Sequence, residues 1–310
     1  MLYFSDIMKN EIIVKIPATS ANMGSGFDCI GIALDIWNSI KVKEIPGSSS
    51  KVILSGQGEE SLDTNEDNLT LRSFNQLFKE LNLTPPIVSI ECNNQIPLAR
   101  GIGSSSAALV GGLYAANVYA GNPLNKYDLL KIAGLEEGHI DNVAPAIFGG
   151  MQIGIHENDL INVTNVPIHS NDLKAVLFVP NVPMLTSEAR GLLDDKVLRS
   201  DAVFNIARSA LLVHSFITGE WDNLLYATQD MMHQPYRQKM FFPMKNIIRA
   251  ALNSGAAGAF LSGAGSTILA FCTDREYTIG YEMADAAMKS GVEGEILVTK
   301  PSLQGVYNEN

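Results

Sequence analysis

The sequence predicts an α+β protein, and two observations carry this prediction. Short strand-like stretches are interleaved with helical segments in the first half of the 310 residues, and the second half follows a β-α-β-β-α-β order. A chain of this length makes one large or two modest domains, at roughly 150 residues each. We predict the boundary within 158–170, which divides the chain into domains over 1–163 and 164–310.

The first half contains five predicted strands and three predicted helices. Residues 87–92 have the clearest strand pattern, because side chains of two unlike kinds alternate along the segment. The predicted strands are 12–16, 34–42, 51–54, 87–92 and 149–155, and the predicted helices are 69–81, 107–120 and 126–137.

The second half begins with a predicted strand and a long helix. In that helix Val203, Ile206 and Leu211 recur at near-helical spacing, Asp201 is the predicted N-cap, and Gly219 follows the end. The predicted strands are 174–179, 257–261, 267–272 and 294–298, and the predicted helices are 201–218, further segments through 253, and 278–289.

The composition is that of a globular chain, with 46% apolar and 18% charged residues. No window approaches the ~20 apolar residues of a transmembrane helix, so no membrane association is expected. The apolar patch at 2–4 lacks a basic region before it, so we predict no signal peptide, and Met8 is a second candidate start. Three scattered cysteines without metal-ligand spacing favour a reducing cytoplasm.

The charge balance is acidic, with a net charge of −11 and a pI near 4.9. It argues against a nucleic-acid partner, because a basic surface supplies most of that affinity. It also opposes phosphate binding. An acidic protein that binds a nucleotide therefore needs directed N–H groups, a divalent metal or a few placed arginines.

Residues 97–108, PLARGIGSSSAA, join a predicted strand to a predicted helix. Gly101 and Gly103 allow positive φ and a close approach of backbone to ligand, and the serines can cap the first turn of the helix. N–H donors and the positive end of the helix dipole then converge on one anion, which predicts a phosphate site. A small-residue turn that lets the helix pack close to a sheet is the alternative.

The two familiar phosphate motifs do not fit this loop. Ser104 stands where a P-loop has lysine, and Ser106 stands where the dinucleotide fingerprint has its third glycine. The hydroxyls of 104–106 therefore suggest Mg²⁺, which prefers oxygen ligands and bridges nucleotide phosphates.

Five further clusters carry more polar chemistry than a fold requires. They are PATSANMGSGFD at 17–28, EEGHIDNVAP at 136–145, TSEAR at 186–190, DMMHQPYR at 230–237 and LSGAGST at 261–267. Each alone is a weak signal.

Together and in this order, the loop and the clusters resemble the GHMP small-molecule kinases over nearly the whole chain, from residue 17 to 267. The glycine-serine loop and the SGAG turn mark that superfamily, and ATSANMGSGFD, GHIDNVAP and HQPYR are similar to its homoserine kinases. The resemblance implies ATP-dependent phosphorylation of the side-chain hydroxyl of L-homoserine to O-phospho-L-homoserine in threonine biosynthesis. It also implies an N-terminal domain like ribosomal protein S5 domain 2, a ferredoxin-like C-terminal domain, and a homodimer, which is frequent in the family.

The resemblance assigns the loop to ATP. Ser105, or else Ser104, would bind Mg²⁺ together with Glu137, and Glu136 is the second choice for that carboxylate. Asn68 matches the family's adenine contact, although it suits a helix cap equally well. The loop residues implied are Pro97, Leu98, Ala99, Arg100, Gly101, Ile102, Gly103, Ser104, Ser105, Ser106 and Ala107.

The resemblance also assigns residues to the amino acid substrate. Arg190 and Arg237 suit its carboxylate, which a guanidinium binds bidentately, and Asp28 suits its ammonium. The residues implied near the hydroxyl are Asn22, His139 and Asn142. Standing alone, each has an ordinary structural explanation, such as a helix cap, a surface ion pair or a core histidine, and their joint occurrence in order favours a site.

Asp141 stands where some GHMP kinases place a catalytic aspartate, yet homoserine kinases are thought to work without a dedicated base. Asp141 is therefore a candidate site residue without an assigned step. The sequence departs from the family at Ser25 and Ile140, where many relatives have proline, and at Leu135, where a further glutamate is frequent. The first two bear on loop rigidity, and the third leaves the metal ligand open.

Two other functions stay open on the sequence alone. A GHMP kinase or ATP-dependent decarboxylase for another small alcohol, such as mevalonate, fits as well, because mevalonate also has a carboxylate. A catalytically silent regulatory protein with this fold is the second. A silent protein of this kind is expected to have lost the loop or metal-binding residues, and this sequence retains them.

Overall fold

The computed structural model describes residues 11–158, 160–170 and 172–309. The apolar patch at 2–4 and Met8 lie outside these residues. The element order confirms the predicted α+β class. Within the described ranges no helix is both long and apolar enough to cross a bilayer.

The first sheet contains seven strands of the described chain. The strands are β1 (Ile12–Ala21), β2 (Ile30–Glu44), β3 (Lys51–Gly56), β4 (Val88–Asn94), β5 (Met151–Glu157), β6 (Leu160–Val166) and β11 (Tyr307–Asn308). Their order is β11-β1-β2-β4-β3, and β5 and β6 extend the sheet from β2. The pairs are antiparallel except for β3 and β4, which run parallel.

Four helices accompany this sheet: α1 (Leu69–Glu80), α2 (Ser104–Tyr119), α3 (Lys126–Glu137) and α4 (Val143–Phe148). Helices α1 and α2 pack so closely that a Cβ at Gly112 would stand 2.3 Å from the carbonyl oxygen of Thr70. Phe74, Leu77 and Leu113 are buried beside this contact. The packing fixes where the first turn of α2 lies, and that turn follows the glycine-serine loop.

The second sheet has the predicted β-α-β-β-α-β order. Its strands are β7 (Lys174–Pro180), β8 (Gly258–Leu261), β9 (Ile268–Cys272) and β10 (Gly294–Thr299), and the helices are α5 (Thr186–Arg190), α6 (Arg199–Thr218), α7 (Leu224–Ala227), α8 (Gln234–Arg237), α9 (Met244–Asn253) and α10 (Glu276–Lys289). The antiparallel order β10-β7-β9-β8 places the four strands as 4-1-3-2, the ferredoxin-like arrangement.

Strand β7 is buried on both faces, which explains its uninterrupted apolar sequence. Leu177 packs into the core shared with the first domain, whereas Val176 and Phe178 pack under α9 and α10. The second sheet therefore lies between the first domain and its own outer helices.

Two predicted helix caps are wrong. Helix α6 begins at Arg199 with Leu198 at the N-cap, so Asp201 lies in the first turn. Its carboxylate there still interacts favourably with the positive end of the helix dipole. Helix α2 begins at Ser104 behind Gly103, and no side chain caps it. The free N–H groups of that turn are left for another acceptor.

The segment 158–170 is not a plain linker, because β6 occupies much of it and pairs with β5. The domain boundary between 163 and 164 stays a prediction. The end of the chain returns to the first domain, where Tyr307 pairs with Lys15 and the N–H of Val306 donates to the carbonyl of Ala146. A two-residue strand carries no periodic signal, so the sequence did not predict this return.

Candidate active site

The glycine-serine loop has the backbone geometry that its sequence predicts. Gly101 and Gly103 have φ of +77° and +74°. A Cβ at Gly103 would lie 1.9 Å from the hydroxyl oxygen of Thr19, and one at Gly101 would lie 2.2 Å from the carbonyl oxygen of Ser262. Both positions therefore require glycine for conformation and for space.

Four successive carbonyls of this loop accept hydrogen bonds from outside it. The pairs are Met184 N to Ala99 O at 2.9 Å, Thr267 N to Arg100 O at 3.1 Å, Ser262 Oγ to Gly101 O at 2.7 Å and Thr19 N to Ile102 O at 3.2 Å. The N–H groups of Gly101 and Gly103 have no acceptor among the described residues. Because the oxygens are held from outside, the N–H groups stay free to converge on an anion.

A cleft of about 610 Å³ opens in front of this loop and brings most of the predicted site residues together. It lies where the 17–28 turn, α2, the 136–145 segment, α5 and α8 meet. The predicted residues that line it are Asn22, Asp28, Ala99, Arg100, Gly101, Gly103, Ser104, Ser105, Ser106, Glu137, His139, Asp141, Asn142, Arg190 and Arg237.

Asn68 lies outside the cleft and caps α1. Its Oδ1 accepts from the N–H groups of Thr70 at 3.0 Å and Leu71 at 3.4 Å, and its Nδ2 donates to the carbonyl of Asp63 at 2.7 Å. The side chain is thus engaged as a cap, and its adenine contact stays a prediction.

The remaining loop residues have other surroundings. Pro97 and Leu98 line a second groove, which shares Ala99 and Arg100 with the cleft. Ile102 and Ala107 are buried in the core. The Arg100 guanidinium donates to the carbonyls of Pro180 at 2.6 Å and Asn181 at 2.8 Å, and also to Leu98. Arg100 therefore ties the loop to the end of β7.

Asp28 and Arg190 form an ion pair at the edge of the cleft. Two parallel hydrogen bonds of 2.8 Å join the guanidinium to the carboxylate. Hydrogen bonding to Asp28 raises the pKa of Arg190, although burial opposes this. Asn22 supports the turn, because its Oδ1 accepts from the N–H of Asp28 and its Nδ2 donates to the carbonyl of Gly263.

Arg237 is the largest fully buried side chain in the described part of the chain, at 2% exposure. Its Nη1 donates to the carbonyl of Gly263 at 2.8 Å and to Nδ1 of His233 at 3.1 Å, while its Nε has no partner. Burial lowers the pKa of Arg237 to about 10. A buried guanidinium with an unused donor beside a cleft is suited to an anionic ligand.

His139 and Asp141 form a pair that lines the same cleft, with Nδ1 and Oδ1 2.9 Å apart. Burial disfavours the charged ring, but the hydrogen bond and charge of Asp141, together with the charge of Glu137, outweigh it and raise the pKa of His139. Asn142 accepts from the hydroxyl of Thr19 at 2.8 Å. The segment therefore presents an oriented imidazole to the cleft.

The two neighbouring glutamates face different surroundings. Glu137 accepts from the hydroxyl of Ser106 at 2.9 Å and lines the cleft. Glu136 pairs with Arg72 on the surface at 3.3 Å. Over 11–158, 160–170 and 172–309, no group of three or more His, Cys, Asp or Glu side chains is arranged to hold a metal ion.

Sequence reasoning missed residues that act through the loop and the arginines. Thr19, Ser262 and Thr267 hold the loop carbonyls, and His233 contacts Arg237. Ser262 and Thr267 lie within the 261–267 cluster, which the sequence did flag. No local signal shows which loop they touch, because the partners stand more than 150 positions away.

The departures from the family pattern have local explanations at two positions. The hydroxyl of Ser25 donates to the carbonyl of Ala227 at 2.8 Å, a bond that proline would lack. Ile140 is fully buried in the first core. Leu135 is 63% exposed and does not line the cleft.

Comparison with known proteins agrees with this fold. The N-terminal domain model of the GHMP kinases matches residues 68–150, and the C-terminal domain model matches residues 212–286. A solved homoserine kinase from Cytophaga hutchinsonii superposes with a TM-score of 0.87 at 29% identity, covering 99% of this chain and 100% of that one. The fold is thus that of the GHMP class of small-molecule kinases.

Curated relatives narrow this class. The homoserine kinase of Caldicellulosiruptor bescii is 39% identical over 279 residues, 90% of each chain, and that of Nostoc punctiforme is 38% identical over 298 residues, 96% of this chain and 97% of its own. The chain belongs to the GHMP kinases and, within them, to the homoserine kinase family. A solved mevalonate kinase shares only 14% identity, at a TM-score of 0.67, and shows the fold alone.

Proposed function

We propose that this enzyme transfers the γ-phosphoryl group of ATP to the side-chain hydroxyl of L-homoserine, giving O-phospho-L-homoserine in threonine biosynthesis. The observation that carries the proposal is one cleft whose lining combines a loop with free amides, two arginines and the carboxylate of Asp28. Phosphoryl transfer depends on positioning and charge neutralisation more than on covalent chemistry. The cleft offers groups for both.

The loop would hold the triphosphate. The N–H groups of Gly101 and Gly103 have no acceptor among the described residues, and the first turn of α2 adds further donors and its dipole. These donors are neutral, so they bind phosphate without relying on the net charge of the protein. An acidic chain needs such directed donors, because its net negative charge repels phosphate.

Mg²⁺ fits the donor set at the same turn. Glu137 lines the cleft and contacts Ser106, and the exposed Ser105 adds a second hydroxyl. One carboxylate with hydroxyl and phosphate oxygens is a usual magnesium environment. When bound there, the ion supplies positive charge to phosphate oxygens. We propose Glu137 and Ser105 as its protein ligands, with Ser106 orienting the carboxylate.

The amino acid would bind at Asp28, Arg190 and Arg237, which line the same cleft. Asp28 and Arg190 offer one negative and one positive group side by side, which complements an ammonium and a carboxylate on a single carbon. Arg237 offers a second site for the carboxylate through its unused Nε. The side-chain hydroxyl is then directed toward His139 and Asn142, which line the cleft near the loop.

The proton of the hydroxyl has no dedicated acceptor in this proposal. The hydroxyl attacks the γ-phosphorus as the bond from that phosphorus to the β,γ-bridging oxygen breaks and ADP leaves; the O–H bond breaks late, and the proton passes to an oxygen of the transferred phosphoryl group. His139, which Asp141 orients, lies beside the reacting group in this proposal, and its raised pKa favours the charged ring. Asp141 acts mainly by holding that ring.

A coupled assay of ADP release tests the proposal. L-Homoserine, mevalonate and L-serine are compared as acceptors, with ATP and Mg²⁺ and with EDTA as the metal-free control. We expect turnover with L-homoserine that EDTA abolishes, and product that is O-phospho-L-homoserine by mass. Faster turnover of mevalonate, or no turnover of L-homoserine, would reject the substrate assignment.

We also propose that each chain folds into two domains, 1–163 and 164–310. Two such chains form a homodimer, and the protein is cytoplasmic. Helix α6 supports self-association, because Val203, Ile206 and Ile217 are 61%, 69% and 48% exposed on one face. Static light scattering tests this. A dimeric mass that Ile206→Glu reduces to a monomer is expected, and a monomeric wild-type chain would reject it.

A further inference from the structure

The 230–237 segment supplies Arg237 to the cleft, but its histidine has no part in the proposed function. His233 is fully buried, with Nδ1 3.1 Å from Nη1 of Arg237 and Nε2 2.9 Å from the carbonyl oxygen of Gly24. The ring stacks on Phe27 at 5.2 Å between centroids. His233 thus joins the 17–28 turn to the buried arginine.

These contacts fix the tautomer of the ring. A carbonyl oxygen only accepts, so Nε2 carries the proton toward Gly24, and Nδ1 is left to accept from Arg237. Burial keeps the pKa of His233 low, against the opposing charge of Asp230, whose Oδ2 lies 3.5 Å from Nε2. The Asp230 carboxylate is itself occupied by Asn205 and by the N–H groups of residues 232–234.

The contact selects one edge of the guanidinium. His233 and the carbonyl of Gly263 both accept from Nη1. The buried Nε has no partner, and no hydrogen bond from Nη2 is present among the described residues. The Nε and Nη2 edge is therefore the one left for a ligand, and it offers two parallel N–H donors to a carboxylate.

We propose that His233 is a positioning residue, which engages Nη1 of Arg237 so that the Nε edge faces the carboxylate of the amino acid substrate. The proposal rests on the proposed function for the identity of that carboxylate. It assigns no contact between His233 and substrate.

Two variants with amide side chains distinguish the roles of the two ring nitrogens. In His233→Asn the side-chain oxygen can occupy the place of Nδ1 and accept from Arg237. In His233→Gln the side-chain nitrogen can occupy the place of Nε2 and donate to Gly24, but nothing replaces Nδ1. Both variants lose the ring that stacks on Phe27, so each is a control for the packing change in the other.

We expect His233→Gln to raise the KM for L-homoserine about tenfold or more, the effect of about 1.4 kcal/mol, and His233→Asn to raise it several-fold less. The KM for ATP should stay within about twofold in both. Equal losses in the two variants, or losses that follow their melting temperatures, would overturn the proposal.

An acceptor without the carboxylate provides the specific readout. 3-Aminopropan-1-ol keeps the ammonium and the hydroxyl of homoserine, so the difference between His233→Gln and wild type should disappear for it. A persisting difference would contradict action through the carboxylate. Wild-type turnover of L-homoserine separately tests the proposed function, so the two failures are distinguishable.

The wild-type protein offers a test that needs no variant. Nitrogen-15 spectra should show a proton on Nε2 and none on Nδ1 of His233. The Nε–H signal of Arg237 should shift with L-homoserine and not with 3-aminopropan-1-ol. A proton on Nδ1, or an Nε–H signal insensitive to L-homoserine, would overturn the proposal.

Discussion

The carboxylate of Asp28 and the guanidinium of Arg190 hold each other by two hydrogen bonds of 2.8 Å, 162 positions apart in the chain. The side chains keep 35% and 37% of their surface exposed. An ion pair so open to water contributes little to stability, about 0–1 kcal/mol. The ion pair matters for function because it lies in the cleft, and it matters little for stability.

Asp28→Asn should therefore affect substrate binding far more than folding. Loss of a charge-assisted bond worth about 1.5–3 kcal/mol should raise the KM for L-homoserine by about ten- to a hundredfold, with little change in melting temperature. Glu276→Gln is the control, because it breaks a 2.6 Å ion pair with Lys174 remote from the cleft. Steady-state kinetics with an unchanged KM for L-homoserine would contradict the role of Asp28.

Gly103→Ala tests the loop. The added Cβ meets the hydroxyl of Thr19 at 1.9 Å and must also adopt a φ of +74°. The loop must shift, and we expect at least about tenfold weaker ATP binding by calorimetry. Gly121→Ala matches the strain, with φ of +85° and open space around it, and should leave ATP affinity unchanged. Similar ATP affinity in both variants would show that the loop geometry is not needed.

The neighbouring glutamates allow a direct comparison of Mg²⁺ dependence. Glu137→Gln removes the carboxylate that faces Ser106 in the cleft, whereas Glu136→Gln removes one that pairs with Arg72 outside. We expect the Mg²⁺ concentration for half-maximal rate to rise about tenfold or more in Glu137→Gln only. An equal or larger rise in Glu136→Gln would transfer the metal role to that residue.

Asp141→Asn should lower the pKa of His139, because it removes the carboxylate that favours the charged ring. The ring titration in NMR spectra measures this directly. In the wild type, a raised folded-state pKa means that the protonated ring stabilises the fold fully below the unfolded pKa, and that this is lost as pH rises through the folded pKa. The variant should lose most of that pH dependence of the free energy of unfolding.

An unchanged titration of His139 in Asp141→Asn would contradict this electrostatic coupling. The same variant tests the reaction step. Complete loss of activity with unchanged folding and ATP affinity would argue against the mechanism without a base.

Arg237→Leu should separate activity from stability. We expect kcat/KM for L-homoserine to fall about ten- to a hundredfold or more in protein that is still folded at the assay temperature, although the melting temperature falls because the carbonyl of Gly263 and Nδ1 of His233 lose their buried donor. Arg208→Leu is the control, since Arg208 lies over Phe204 on α6. A variant that unfolds in proportion to its lost activity would contradict this division.

The sequence predicted most elements, because their signals are local. The α3 and α6 helices, the four strands of the second sheet and the positive φ at Gly101 and Gly103 follow from periodicity, helix-end signals and glycine placement. The failures are also local: Leu198 holds the cap position predicted for Asp201, and no serine caps α2. The cap of α6 and the start of α2, at Ser104 against the predicted 107, each lie three residues before the predicted position, a shift that capping preferences do not resolve.

By itself, the sequence determined the class of fold, the family and the residue types that the cleft needs, since these depend on composition, periodicity and ordered motifs. Only the tertiary structure decided which residues form hydrogen bonds with each other. The pairs are Glu137 with Ser106, Asp28 with Arg190, His233 with Arg237, and Ser262 with the carbonyl of Gly101. Most of these partners lie 31 to 162 positions apart. Their contact depends on how two packed domains bring distant segments to one cleft, and no local pattern records that.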